Sequence, residues 1–143
     1  MANPNIVNVT SIVGGNLGFN LSNTLTATLA TVAADKIVKI NRITVANVDG
    51  SSAADVDLFV DGLTTAGATG FAGTGADATV YLAKTVSVPA DATLVLVDTP
   101  IYLMEGDILK GGASASGDLD LFVSYEVIDD AWRFKLWRKQ MAE

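Results

Sequence analysis

Leu119-Asp120-Leu121-Phe122-Val123-Ser124-Tyr125-Glu126-Val127 is the most regular stretch of the chain. Leu119, Leu121, Val123, Tyr125 and Val127 recur at every second position, the period of a strand with one face turned inward. The residues before it repeat the pattern in shorter pieces. Thr79–Val88, Ala92–Val97, Ile101–Met104 and Asp107–Ala113 read as strands separated by Pro89, Pro100 and Gly106, while Gly111-Gly112 is expected to end a strand or form a bulge. Further back, Val56, Leu58 and Val60 point inward while Asp55, Asp57 and Asp61 point out.

The long segment Lys36–Val48 changes parity. Val38 and Ile40 share one face and Ile43 and Val45 the other, so either a bulge near Asn41-Arg42 resets the register or both faces are covered. Asp49-Gly50 is a strong turn signal. In Thr24–Thr31, Leu25, Ala27 and Leu29 alternate with threonines, which predicts another strand. Ile6–Val13 and Asn16–Leu21 are expected to form a hairpin through Gly14-Gly15, since paired glycines supply the positive φ of a tight turn. Gly62–Ala78, with five glycines and Phe71 as its one large apolar residue, is expected to be an exposed excursion. Nine or so short strands at this spacing predict an all-β fold, an antiparallel β-sandwich or jelly roll, over residues 1–128.

Residues 129–143 break the pattern. On a helix capped by Asp129 or Asp130, Trp132, Leu136 and Gln140 form one stripe with Trp137 and Met141 beside it. On a strand, Trp132, Phe134 and Leu136 alternate with Arg133, Lys135 and Trp137. The segment is therefore a short C-terminal arm, helical or extended. Trp132, Arg133, Phe134, Leu136, Trp137, Arg138 and Met141 are its candidate interface residues, because tryptophan and arginine are favoured anchors of protein contacts. The bland alternative is a segment that covers an open end of its own sandwich.

The composition narrows the chemistry. The 143 residues are half hydrophobic and 17% charged, enough to bury the core of one domain. There is no cysteine and no histidine, which removes disulfides, thiolate metal sites and the usual general base near neutral pH. Catalysis and cofactors are therefore not expected. The net charge is −7: residues 1–128 carry five basic and thirteen acidic side chains, and residues 129–143 four basic and three acidic. An acidic body disfavours nucleic-acid binding. No apolar run reaches membrane-helix length. Met1-Ala2-Asn3-Pro4-Asn5 does not resemble a secretory signal, so the two glycosylation sequons, Asn8-Val-Thr10 and Asn20-Leu-Ser22, are read as incidental.

Two matching runs, Asp55-Val-Asp57-Leu-Phe-Val and Asp118-Leu-Asp120-Leu-Phe-Val, each place two carboxylates on one strand face. Brought together they could hold calcium or serve glycoside hydrolysis. Neither has the spacing of a calcium loop, and both are read as solvated outer faces. Gly73-Thr-Gly75-Ala-Asp77 echoes a dinucleotide fingerprint but lacks the strand before it and the helix after it.

Lys39-Ile-Asn-Arg-Ile-Thr-Val-Ala-Asn-Val-Asp49-Gly50, Val88-Pro-Ala-Asp-Ala-Thr-Leu-Val95, Pro100-Ile-Tyr-Leu-Met-Glu-Gly-Asp107, Ala115-Ser-Gly-Asp-Leu119 and Val123-Ser-Tyr-Glu-Val-Ile128 together resemble small β-sandwich virion proteins of marine and cyanobacterial tailed phages. The resemblance spans roughly residues 36–128, leaves the arm outside, and brings no catalytic residues. It implies a virion protein made in the host cytoplasm, most directly a capsid decoration or cement protein. Such a protein binds major capsid subunits and associates with itself, for instance as a trimer. A neck, tail or fibre part that binds neck and tail proteins is the alternative. A carbohydrate-binding module is a further reading. It requires exposed aromatics, whereas Tyr81, Tyr102 and Tyr125 occupy strand positions compatible with core packing. A small hydrolase using Asp57 or Asp120 is the weakest reading.

Overall fold

A computed structural model describes residues 9–63, 73 and 78–130, and over these residues the chain is all β. In chain order the strands are β1 (Val9–Asn20), β2 (Thr28–Thr31), β3 (Lys36–Asn47), β4 (Ala54–Leu63), β5 (Ala78–Val88), β6 (Thr93–Val97), β7 (Ile101–Leu103), β8 (Ile108–Ala113) and β9 (Leu119–Asp130). One sheet has the order β1-β9-β3-β6, with β7 pairing along the same flank of β3 as β6; the other has the order β2-β8-β4-β5. Every pairing is antiparallel.

With β7 set aside, the pairs nest: β1 with β9, β2 with β8, β3 with β6, β4 with β5. An antiparallel ribbon of nested pairs wrapped into two facing sheets is the jelly-roll form of the β-sandwich. Its centre is β9, flanked by β1 and β3. Leu119, Leu121 and Val123 turn inward and are buried against Ile43 and Val45 of β3 and Val56 and Leu58 of β4. Each such side chain contributes roughly 1.5–3 kcal/mol of burial.

The expected parity reset in β3 is a bulge: pairing with β9 shifts between Ile40 and Arg42, and both Ile40 and Ile43 reach the core. Gly14-Gly15, by contrast, makes no turn. β1 runs straight through both glycines in register with β9. A Cβ on Gly15 would lie 2.6 Å from the Tyr125 hydroxyl, so this glycine makes room for the ring of the facing residue.

The strand expected at Thr24–Thr31 shortens to Thr28–Thr31, and Leu25 is exposed. The segment before it instead crosses β8. The carbonyls of Ser22 and Ala27 accept the amides of Ala113 (2.9 Å) and Gly111 (3.0 Å). A Cβ on Gly112 would collide with the Thr24 carbonyl. Gly111-Gly112 thus stays inside β8, where missing side chains let backbones approach.

Asp129 and Asp130 are the last residues of β9, and Asp129 pairs with Lys36 at 2.7 Å; a helix beginning after them lies outside the described residues. Most of the glycine-rich excursion lies outside the described residues. So do all the arm residues singled out above: Trp132, Arg133, Phe134, Leu136, Trp137, Arg138 and Met141.

Candidate interaction surface

Because β1, β9, β3 and β6 are in register, the outer face of their sheet is laid out in rows. One row runs Gly18–Phe122–Thr44–Val95, and the next runs Asn20–Asp120–Ala46–Thr93. Phe122 follows the same alternation that buries Leu121 and Val123, so it must face out, and it is 49% exposed. Gly18 and Ala46 contribute almost no side chain, and the ring borders a shallow hollow of about 380 Å³. Val95 is exposed at the end of the row.

Polar groups frame this apolar row. Asn20 Nδ2 donates to Asp120 Oδ1 at 2.7 Å and to the Gly117 carbonyl at 3.1 Å. On the other side the next row is Asn16–Ser124–Arg42, and beyond it Lys39 faces Glu126 at 3.9 Å, with Tyr102 of β7 opposite Lys39. Tyr102 is 54% exposed and Tyr81 41% exposed, which corrects the expectation that both pack in the core. The cause is register: Tyr102 lies opposite Lys39, and Tyr81 opposite Phe59, both on outer faces. Tyr125 alone of the three tyrosines turns inward, over Gly15.

The outer face of the second sheet satisfies itself. Phe59 is buried beneath Tyr81 (ring centroids 5.0 Å apart), and Lys84 Nζ stands 4.8 Å from the Tyr81 centroid. Asp61 accepts from Lys110 Nζ at 2.7 Å, Thr79 Oγ1 at 2.8 Å and the Gly62 amide at 3.0 Å. Those bonds, Lys110 foremost, hold its carboxyl below the usual range.

The two aspartate runs are not brought together: Asp55 and Asp57 lie on the second sheet, Asp118 and Asp120 at the first. Asp57 is not solvated as expected but 8% exposed, its Oδ1 accepting the Thr85 amide at 2.6 Å. Thr85 has a φ of 51°, and the carboxylate secures that kink in β5. Among the described residues no group of three or more acidic side chains is placed to hold a metal.

Two features escaped the sequence reading. Asp107, 2% exposed, closes the Met104–Asp107 turn by accepting the Met104 amide at 2.8 Å, and burial pushes its carboxyl upward. Between the sheets, an apolar pocket of about 230 Å³ is lined by Leu17, Val38, Ile40, Tyr125 and Val127 together with residues 30–33. Neither leaves a sequence signal beyond an Asp after a glycine and ordinary apolar alternation.

The molecule is therefore an all-β sandwich of two antiparallel sheets, with an apolar row exposed on one of them. No protein-family model, curated protein or solved structure matches the chain.

Proposed function

We propose that this chain is a structural subunit of a tailed-phage particle, a capsid decoration or cement protein that seats on neighbouring capsid subunits and needs no catalytic centre. The observation that carries the reading is the row Gly18–Phe122–Thr44–Val95, an apolar strip framed by charged and amide groups. A desolvated centre inside a polar rim is the anatomy of a protein contact. Jelly rolls recur among capsid domains, and the resemblance of residues 36–128 to phage virion proteins points the same way; both are supports by analogy. In this reading Trp132, Phe134 and Trp137 of the arm add apolar anchors, and Arg133 and Arg138 add charged ones.

The test is binding of purified chain to particles that lack it. Phe122→Asp, which alters an exposed position, and truncation after Asp130, which spares β9, are each expected to weaken binding at least tenfold while thermal unfolding stays cooperative. Unchanged binding by both variants overturns the proposal. The number of copies per particle then separates decoration, with hundreds, from a neck, tail or fibre part, with few.

The exposure of Tyr102 and Phe122 on a sheet face favours a second reading, a carbohydrate-binding module, since aromatic faces stack on sugar rings. A glycan screen in which Tyr102→Ala and Phe122→Ala abolish a positive signal would establish it.

A further inference from the structure

We infer that β1 is a strand-addition edge that pairs with β1 of a second copy of this chain, antiparallel across a two-fold axis. Among the described residues β1 has one pairing partner, β9, so its other side offers unpaired amides and carbonyls. Which residues offer them follows from the ladder. Leu21 N donates to Leu119 O, and Val48 N to Asp118 O. Odd-numbered residues of β9 therefore bond toward β1 and even-numbered ones toward β3. With the register constant from Ile12 to Asn20, the outward amides belong to Ile12, Gly14, Asn16, Gly18 and Asn20.

Sheet edges are usually blunted by shortness, charge, proline or bulges. Three edges of this sandwich are. β2 has four residues. β5 carries Lys84, the Thr85 kink and three register shifts. The β6–β7 flank consists of strands of five and three residues with Pro100 between them. β1 has twelve residues, Val-Thr-Ser-Ile-Val-Gly-Gly-Asn-Leu-Gly-Phe-Asn, without a charge or a proline, and its one register shift lies at its start, between Val9 and Ser11. Ile12 and Val13 on it are 60% and 62% exposed.

The charge pattern selects the partner. A chain of net −7 repels its own copies, and the repulsion is least where the contacting strand is uncharged. An antiparallel edge is also complementary to itself, which gives an isologous, closed contact. The inference does not depend on the particle reading, because pairing is measured on isolated chains.

The experiment is the mass of the full chain by sedimentation across a hundredfold concentration range. A dimer is expected. Asn16→Pro removes one outward amide without breaking a β1–β9 bond, and Asn16→Asp puts a carboxylate in the middle of the edge on both copies and takes the net charge of each from −7 to −8. Both are expected to shift the dissociation constant at least tenfold toward monomer while unfolding stays cooperative. If Asn16→Pro fails to fold, Asn16→Asp decides. A wild-type monomer throughout, a trimer, or a dimer indifferent to Asn16→Asp overturns the inference.

Discussion

The Tyr125 hydroxyl occupies the space beside Gly15, 2.6 Å from where a Cβ would project, with the ring carbon that bears it at 2.8 Å. The ring is only half-buried and edges the apolar pocket between the sheets, so it can give way at modest cost. Gly15→Val is therefore expected to destabilise the fold by about 1 kcal/mol, the low end of the usual cost of overpacking. In a Tyr125→Ala background most of that penalty disappears. Denaturant unfolding of the four variants of a double-mutant cycle measures the coupling.

Thr85 is β-branched and held at a φ of 51°, with its amide bonded to the buried Asp57 carboxylate. Asp57→Ala is expected to cost about 1–3 kcal/mol, because the part-buried bond from the Thr85 amide to a charged acceptor is lost. Asp57→Asn keeps an acceptor and costs less. Thr85→Gly removes backbone strain of about 1–3 kcal/mol at an entropic cost of about 0.5–1 kcal/mol, so its melting temperature rises by a few degrees. Calorimetry on the three variants ranks them.

Asp107 and Asp61 give stability opposite dependences on pH. Burial raises the Asp107 carboxyl above its ordinary 3.8, partly countered by the Met104 amide. The folded state holds that proton more tightly, so the contribution of Asp107 is complete below 3.8 and is lost as pH climbs through the raised value. Asp61 is lowered, chiefly by Lys110. Its contribution is complete above 3.8 and is lost as pH falls through the lowered value. Asp107→Asn should gain on wild type as pH rises from 3.8 and then run parallel to it. Asp61→Asn should fall behind wild type above 3.8 and rejoin it in acid. Melting temperature against pH for the three proteins reads both.

Both tryptophans of the chain, Trp132 and Trp137, lie in the C-terminal segment and none in the sandwich. Tryptophan emission therefore reports on that segment alone. On binding to particles the emission is expected to shift to the blue, and the shift should shrink in Phe122→Asp, which weakens binding, without loss of the fold. Fluorescence titration against particles measures it.

The sheets were legible in the sequence wherever alternation met burial on one side only. β9 reads correctly because a strand between two neighbours repeats one inward set, and the β3 bulge because a parity change has few other causes. The glycine pairs misled in a common way. Gly14-Gly15 and Gly111-Gly112 carry the composition of turns, but what they answer to is a ring and a carbonyl distant in sequence, Tyr125 and Thr24. The faces of Tyr81 and Tyr102 were hidden for a related reason: a short strand does not reveal which of its sides a partner covers. The row around Phe122 needed the registers of four strands at once, which no single segment contains.

The nesting of β1 with β9 also has a kinetic side. Ile12 meets Ile128, so the outermost pair of the ribbon joins residues from opposite ends of the described chain. While the polypeptide is being synthesised, neither β1 nor β3 has its central neighbour until residues beyond 119 have emerged. Folding must wait for them, and closure over such separations places the fold among those that form in about milliseconds to seconds. In that interval β1 lies open on both sides, and newly made chains are at their most adhesive.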